Sequence, residues 1–299
     1  MIYADYLRPS NLNDALHALA SGSCQVLAGG TDIYPTQSST LFSDTGHLGS
    51  TQSHGANRHP ASPATVLDIT ALKDLSGIEL HDQYWRIGAT TTWSTLARAQ
   101  LPPQLHGLQA AAREVGGIQI QNTGTIAGNI CNASPAADGV PVLLSLDAEV
   151  ELASVRGTRR SPLQDFLLGS RKTARHADEL VTAILIPHRP DAHSAFLKLG
   201  HRRYLVISIV MVSVVIEIQQ GLLQHIALAV GSCSAVAQRL HALEQKLIGR
   251  PANSALVDVV HEDDLSVLSP IDDVRGTAEY RVDAALTLVR RAIAGAMHE

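Results

Sequence analysis

The chain has 299 residues, which is long enough for two domains with their own cores. Its formal net charge of −5 is spread without long runs, so we expect no nucleic-acid binding through a basic surface. The N-terminus lacks a basic segment followed by an apolar one, so we expect no signal peptide. The longest apolar run, 205–218, is shorter than the roughly 20 residues of a membrane span, so we expect no such span.

The cysteines set a limit on the metal chemistry of the chain. There are 3 of them, Cys24, Cys131 and Cys233, and no two have CxxC spacing. This pattern favours reduced thiols in a cytoplasmic protein. It also excludes the usual set of four thiolates for an iron–sulfur cluster held by this chain alone. The 14 histidines are scattered, so we expect no metal site.

The N-terminal half alternates predicted helices and strands. A helix is expected over 10–22, capped by Ser10 or Asn11, followed by a strand over 24–28 that ends abruptly in the glycines of GGTD. Residues 36–64 are polar and predict a long surface loop. Strands are then expected over 65–69 and 85–89, and helices from Ser94 and over 104–115.

The later segments predict a second, smaller domain. Residues 116–133 mix glycine and asparagine with β-branched residues, which favours short strands joined by sharp bends. The apolar stretch 140–146 precedes strands over 148–152 and 179–186, and composition shifts at 187–191. Residues 204–218 and 222–230 read as a hairpin, before helices over about 235–248 and 279–297. The sequence therefore predicts an α+β protein with domains over 1–189 and 190–299.

Several common catalytic motifs are absent from the sequence. It contains no GxGxxG after a strand, no GxxxxGK[ST], no HExxH and no GxSxG. Rossmann dinucleotide binding, P-loop NTPase, zinc protease and serine hydrolase chemistry all lose support.

Two loops rich in glycine and hydroxyl groups remain as candidate sites. In the first, Gly29 and Gly30 leave successive backbone N–H groups free to point at one oxyanion, and Thr31 adds a hydroxyl. The second loop, 123–129, offers two hydroxyls, two glycines and a carboxamide. Each loop suits a diphosphate, but each also fits a structural turn or a bend between strands.

Two charged residues have open interpretations. Asp138 follows a proline turn and is suited either to accept hydrogen bonds from sugar hydroxyls or to cap a helix that begins near Val140. Lys198 reads by default as a solvated surface cation. The same default applies to Arg202 and Arg203, and His201 reads as structural or exposed.

These segments in order resemble a known family. LAGGTD at 27–32, VLDI at 66–69, IGATTTWSTL at 87–96 and QIQNTGTIAGNICNASPAAD at 119–138 resemble the FAD-binding medium subunits of the xanthine dehydrogenase and carbon-monoxide dehydrogenase family. GSRKT at 169–173 and SPIDDVRGTAEY at 269–280 continue the series. Apart from 36–64, the resemblance spans nearly the whole chain. It implies a two-subdomain FAD-binding domain of the PCMH type, as in vanillyl-alcohol oxidase, followed by a small α+β domain with an antiparallel sheet and helices.

The resemblance also implies which residues bind the cofactor. The loop 26–33 and the loop at Thr125 grip the FAD diphosphate, Asp138 binds further along the dinucleotide, and Lys198 lies near the flavin. Two valines pack on the cofactor. The full expected set is Val26, Leu27, Ala28, Gly29, Gly30, Thr31, Asp32, Ile33, Val115, Thr125, Ile126, Ala127, Gly128, Asn129, Asp138, Val181 and Lys198.

The sequence departs from the family pattern at three places. Ala127 stands where many relatives have glycine, and its methyl group requires a negative φ. Tyr34 follows the first loop in place of an aliphatic residue, and our hypothesis is that it approaches the flavin ring. The long segment 36–64 contains no cysteine, which excludes the variant that carries an iron–sulfur cluster there.

The resemblance implies an electron-transfer role within a larger enzyme. Substrate is hydroxylated at molybdenum in a molybdopterin-binding large subunit, and electrons pass through [2Fe-2S] clusters of a small subunit to FAD on this chain, and then to NAD+ or another acceptor. The expected assembly is a dimer of such three-subunit units, and no catalytic acid or base is expected here. One alternative is a stand-alone FAD oxidase or reductase, and another is a scaffold that has lost FAD. Intact Gly29, Gly30, Gly128 and Asp138 argue against the scaffold.

Overall fold

The structure is a computed structural model, and it describes residues 5–33, 65–203 and 205–297. The predicted α+β class is confirmed by its mixture of helices and sheets. The strands are β1 (Asp5–Leu7), β2 (Cys24–Leu27), β3 (Thr65–Asp68), β4 (Ile78–Leu80), β5 (Tyr84–Gly88), β6 (Glu149–Ser154), β7 (Gly157–Pro162), β8 (Leu167–Gly169), β9 (Lys172–Thr173), β10 (Leu180–Pro187), β11 (Ala192–Leu199), β12 (Val210–Gln219), β13 (Leu222–Gly231) and β14 (Gln238–Arg239). The α-helices are α1 (Leu12–Ser21), α2 (Trp93–Arg98), α3 (His106–Glu114), α4 (Ile118–Thr123), α5 (Ile126–Asn132), α6 (Gly139–Ser145), α7 (Leu163–Phe166), α8 (His241–Leu247) and α9 (Ala278–Ala296). Short 3-10 helices cover Lys73–Leu75, Pro103–Leu105, Ser254–Val259 and Glu262–Leu265.

A small parallel sheet of order β1-β3-β2 carries the first glycine loop. Helix α1 precedes β2 and begins at Asn11, whose side chain accepts a hydrogen bond from the backbone N–H of Asp14 at 2.9 Å. Its buried face, Ala15, Leu16 and Leu19, packs in one cluster with Leu67 of β3. Strand β2 ends at Leu27, whose carbonyl accepts from Ile69 N–H at 2.9 Å. This sheet therefore fixes the point at which the GGTD loop starts.

A second, antiparallel sheet forms the body of the first domain, in the order β4-β5-β10-β6-β7. Its core is continuous with the buried faces of α2, α3, α5 and α6, where Trp93, Leu108, Ile130 and Leu143 are at most 1% exposed. The burial explains why these segments combine aliphatic side chains with few charges.

The prediction of short strands over 116–133 is wrong, because the segment forms the helices α4 and α5. Thr125 is the reason that a helix starts there. Its side chain accepts a hydrogen bond from Gly128 N–H at 3.1 Å, so the threonine that looked like a turn residue is an N-cap. Gly124 lies between the two helices, where its carbonyl accepts from Trp93 N–H at 3.1 Å.

The predicted hairpin is confirmed in the third sheet, of order β11-β12-β13-β14. Gln220 and Gly221 join β12 to β13 with φ values of 52° and 75°, the left-handed backbone that a two-residue hairpin turn requires. Helix α9 packs on one face of this sheet, while α3 and α6 pack on the other. Strand β12 is thus buried on both faces, which accounts for its Val/Ile-rich sequence.

One further prediction is wrong in part, and others stay predictions. The helix expected over about 235–248 begins only at His241, because Gln238 and Arg239 pair with β13 instead. The polar loop 36–64 and Tyr34 lie outside the described residues, and the boundary between 189 and 190 stays a prediction. Within the ranges that the structure describes, no helix has the length and apolar character needed to cross a bilayer.

Candidate functional site

A cleft of about 920 Å³ opens between the end of β2, helix α5 and the start of β10. Most of the predicted cofactor-binding residues line it, although they come from distant parts of the sequence. These are Val26, Ala28, Gly29, Gly30, Thr31, Asp32, Ile33, Val115, Thr125, Ala127, Gly128, Asn129 and Val181. Four of the predicted residues are not on its surface: Leu27, Ile126, Asp138 and Lys198.

The two glycine loops touch each other in the wall of the cleft, where Gly29 and Gly124 both line it. A Cβ added at Gly29 would lie 2.6 Å from the carbonyl carbon of Thr123 and 2.9 Å from Cα of Gly124. Only glycine permits this approach of two main chains. The next residue, Gly30, has φ 69°, which also favours glycine. The meeting of the loops therefore requires Gly29, and the left-handed backbone favours glycine at position 30, in both cases independently of any ligand.

The first loop presents unused hydrogen-bond donors. Within the described parts of the chain, the backbone N–H groups of Gly29, Gly30 and Thr31 donate to no protein acceptor. All three residues line the cleft. Consecutive free N–H groups without an intervening bulky side chain form a concavity suited to an anion.

The second loop differs from the first, because its backbone N–H groups at 126–128 are hydrogen-bonded within the protein. Ile126 N–H donates to Thr91 O at 3.0 Å, and Ala127 N–H donates to Ala89 O at 3.4 Å. Gly128 N–H is used by the Thr125 cap. Two backbone hydrogen bonds therefore hold the first turn of α5 against residues 89–91. Ala127 lies inside this helix, where φ is negative, so its methyl group is accommodated as the sequence required.

Two arginines, Arg171 and Arg175, bring positive charge to the cleft, and neither is among the residues predicted to bind the cofactor. The Arg171 guanidinium donates to both carboxylate oxygens of Asp32, at 3.3 and 3.2 Å, and to the side-chain oxygen of Asn132. The backbone N–H of Arg171 donates to Ala133 O at 2.9 Å. Arg171 therefore connects the first loop to the C-terminal end of α5. Arg175 also lines the cleft.

Glu179 anchors the cleft wall that carries Arg175. Its carboxylate accepts two hydrogen bonds from Arg159, at 2.6 and 2.7 Å, and one from His176 N–H at 2.8 Å. The bidentate bond from Arg159 lowers the pKa of Glu179 to about 2. The Arg175 guanidinium donates to the Glu179 carbonyl at 2.7 Å, so this ionised residue also fixes the arginine.

Asp138 and Lys198 form a buried ion pair behind the cleft. Lys198 Nζ lies 2.8 Å from Asp138 Oδ2, and the Ser208 hydroxyl donates to Oδ1 at 2.7 Å. The Lys198 ammonium also donates to Glu114 O at 3.1 Å. Burial raises the pKa of Asp138, and Lys198 opposes this increase. Asp138 makes no side-chain cap to α6, and the Lys198 side chain is 6% exposed, so the helix-cap and surface-cation interpretations are both wrong.

Apolar side chains form the remaining walls. Val115 and Val181, which are predicted to pack on the cofactor, line the cleft, and Trp93 and Ile120 lie beside them without having been predicted. Trp93 is 1% exposed, and its ring packs where a Cβ on Gly139 would lie 2.5 Å away. Such walls suit a flat aromatic ring system.

Cys131 lies on the cleft wall but is poorly suited to bond covalently to a ligand. The thiol is open to the cleft, yet the surrounding protein desolvates it and raises its pKa to about 11. It therefore stays protonated near neutral pH, and the protonated form is a weak nucleophile.

Some of the missed lining residues had a signal in the sequence. Trp93 and Ala89 belong to the 87–96 motif, and Arg171 and Thr173 belong to the 169–173 motif; both segments carry the family resemblance. Cys24 and Gln25 offered no such signal, because nothing local distinguishes a strand residue that faces a cleft.

Comparison with known proteins defines the class to which this fold and cleft belong. Residues 48–189 match the FAD binding domain in molybdopterin dehydrogenase, and residues 195–296 match the CO dehydrogenase flavoprotein C-terminal domain. The chain belongs to the family of FAD-binding medium subunits of xanthine and carbon monoxide dehydrogenase-type molybdenum hydroxylases. FAD is therefore its cofactor, and it is a component of an oxidoreductase.

Individual relatives match most or nearly all of the chain. The chain is 30% identical to the xanthine dehydrogenase FAD-binding subunit of Escherichia coli O157:H7, over 99% of this chain and 96% of the relative. It is 31% identical to the nicotinate dehydrogenase FAD-subunit of Eubacterium barkeri, over 86% and 85%. The crystal structure of cyanide-inactivated Cu,Mo-CO dehydrogenase contains a chain that superposes with a TM-score of 0.85 at 27% identity, covering 100% of this chain and 99% of that one.

Proposed function

We propose that this chain accepts electrons at FAD from [2Fe-2S] clusters of a small partner subunit and passes them to NAD+ or another acceptor. The assembly would also contain a molybdopterin-binding large subunit and would be a dimer of three-subunit units. The observation that supports cofactor binding most directly is the row of free N–H groups at Gly29, Gly30 and Thr31 beside two arginines.

The described residues fit FAD at both of its chemically different parts. The free N–H groups and the Arg171 and Arg175 guanidinium groups suit a diphosphate, because they offer donors and positive charge together. The apolar walls at Val115 and Val181 suit the ring systems and exclude water from them. When bound, FAD supplies the capacity to take up and release one or two electrons.

The remaining predicted residues have supporting roles in this proposal. Thr125 caps α5 and so directs the positive end of that short helix at the cleft, next to Gly128 and Asn129. Asp138 and Lys198 fix the backbone carbonyl of Glu114, which immediately precedes the wall residue Val115. We propose that these two act on the flavin through that wall.

The arrangement of partners follows from what this chain contains. With 3 widely spaced cysteines, it lacks the thiolates for a cluster of its own, so clusters that supply electrons have to lie on another chain. One relative, from Afipia carboxidovorans, is named the medium chain of a carbon monoxide dehydrogenase, which supports an enzyme made of several chains.

A set of spectra tests this proposal. We expect the purified chain to be yellow, to release FAD on denaturation, and to keep its flavin oxidised when hydroxylase substrates are added to it alone. Flavin reduction by substrate should require the two partner subunits. Anaerobic NADH should bleach the flavin if NAD+ is the acceptor. A colourless protein that takes up no FAD, or one that oxidises a substrate alone, would contradict the proposal.

A further inference from the structure

An arginine that is closed off from solvent lies in the first turn of α9. The Arg281 side chain is 1% exposed, and arginine is almost never buried to this degree unless its charge is paired. The partner is Asp273, whose Oδ1 accepts from the guanidinium at 2.7 Å. Burying a charged pair brings little or no stability compared with apolar side chains, so packing alone does not explain an arginine at this position.

The Arg281 guanidinium holds the main chain at one end of the third sheet. Its Nη1 donates to Ile209 O at 2.7 Å and to Ser232 O at 3.1 Å. Ile209 immediately precedes β12, and Ser232 immediately follows β13. The N–H of Ile209 in turn donates to Leu199 O at 2.8 Å. The arginine therefore fixes the ends of two neighbouring strands.

The turn before α9 adds a second arginine to this anchor. Asp273 accepts from the Arg275 backbone N–H at 2.8 Å and from its Nε at 3.0 Å, and the bond to this guanidinium lowers the pKa of Asp273 to about 2. The Arg275 Nη1 also donates to Ser208 O at 3.4 Å. Asp273 is thus ionised near neutral pH and holds two arginines, each of which donates to a carbonyl of residues 208–209.

The main chain that these arginines hold carries the hydroxyl that binds Asp138. Ser208 is 1% exposed, and its hydroxyl donates to Asp138 Oδ1 at 2.7 Å. The other carboxylate oxygen accepts from Lys198, whose ammonium also donates to Glu114 O next to the cleft wall. Asp138 lies in the part of the chain that matches the FAD binding domain, whereas Ser208 and Arg281 lie in the part that matches the C-terminal domain. A series of hydrogen bonds therefore runs from α9 to the wall of the cleft.

We propose that Arg281 is a positioning residue for the cofactor site. It acts through the main chain of residues 208–209 and keeps the Ser208 hydroxyl on Asp138. This rests on the role proposed above for Asp138 and Lys198. A partner that is already ordered before the ligand arrives lowers the entropic cost of binding, so a fixed Ser208 favours FAD binding. Within the described part of the chain, Arg281 is not among the residues that line the cleft, so the C-terminal domain acts on the site from outside it.

The test is a double-mutant cycle in the full-length chain, measured by titrating the apoprotein with FAD. Arg281→Met and Ser208→Ala should each raise the Kd for FAD about tenfold, because each removes the hydrogen bond from the hydroxyl to the Asp138 carboxylate. The double variant should bind FAD no more weakly than the single variants, since both changes break the same bond. Arg290→Met is the matched control, because Arg290 lies on the same helix and donates to Val260 O at 2.6 Å.

Melting temperatures separate positioning from a general loss of stability. Arg281→Met and Arg290→Met should both melt below the wild type, but only the first should change the Kd for FAD and the visible absorption spectrum of the bound flavin. If Arg281→Met does not fold, Arg281→Lys gives the same comparison, because it keeps the charge and loses the planar fork. A Kd equal to that of the wild type, or effects of the Arg281 and Ser208 substitutions that add, would overturn the proposal.

A crystal structure of the Arg281→Met apoprotein shows which step is wrong if the Kd for FAD does not change. We expect the Ser208 hydroxyl to lie beyond hydrogen-bond distance from Asp138 in this variant. A contact that is kept would mean that Arg281 does not position Ser208. A contact that is lost without any effect on FAD binding would show instead that Asp138 and Lys198 do not act on the flavin, which would contradict the role proposed for that pair as well.

Discussion

Replacing Gly29 by alanine tests whether the meeting of the two loops forms the cofactor site. The added Cβ would lie 2.6 Å from the Thr123 carbonyl carbon, whereas ordinary contact begins near 3.4 Å. Both partners are main chain, so the loops have to separate by about 1 Å. Overpacking of this kind costs about 1–3 kcal/mol. If the closed arrangement is the one that binds FAD, the Kd for FAD should rise between about 5-fold and 150-fold.

The assay is a titration of the apoprotein with FAD, followed by quenching of flavin fluorescence. Gly22→Ala is the matched control, because Gly22 lies in the same segment, has extended backbone with φ −176°, and has no atom within 4 Å of an added Cβ. The melting temperature of each apoprotein shows whether the variant is folded. A Gly29→Ala protein that is folded and binds FAD as tightly as Gly22→Ala would refute the reasoning.

Three further predictions concern charged groups. Arg171→Gln should weaken FAD binding several-fold in the same titration, since it removes an exposed cation that lines the cleft. Lys198→Met should lower the urea-unfolding free energy by about 3–5 kcal/mol, because Asp138 loses its buried partner, and adding Asp138→Asn should restore much of this. The pKa of Glu179 is depressed to about 2, so its contribution of at most about 3 kcal/mol is present above pH 5 and is lost as the pH falls towards 2. Glu179→Gln should abolish that part of the acid dependence in chemical denaturation.

Each of these has an outcome that contradicts it. Unchanged affinity in Arg171→Gln would remove the arginine from the site. A Lys198→Met protein as stable as the wild type would mean that the pair is not buried as described. An acid-unfolding profile that is the same with and without Glu179 would show that its bond to Arg159 contributes no stability.

The sequence predicted the periodic elements well, because their burial pattern is local. The hairpin around Gln220 and Gly221 could be predicted from alternating apolar residues on either side of a turn. The helix after Asn11 could be predicted from its apolar stripe and its cap residue. The prediction of strands over 116–133 failed because the residues that determine the structure there are distant in the sequence. Glycine and isoleucine there favour bends and strands locally, but hydrogen bonds from the 89–93 segment and the cap at Thr125 fix two helices.

The candidate site shows the same division between local and distant information. The GGTD motif identified the loop that carries free N–H groups. By contrast, the pairing of Asp138 with Lys198, 60 residues apart, is a tertiary contact that neither residue's surroundings disclose. The roles of Arg171 and Arg175 also depend on how a hairpin folds back over α5.

The cleft has walls from the N-terminal sheet, from α5 and from β10, and this has a thermodynamic consequence. A ligand held between separate parts of a chain binds only when all of them are in place, so its binding energy adds to the stability of the whole arrangement. At a free ligand concentration of 100 times Kd the gain is about 2.7 kcal/mol. Removal of the flavin should therefore lower the stability of all three walls together, and not only that of the loop that contacts the diphosphate.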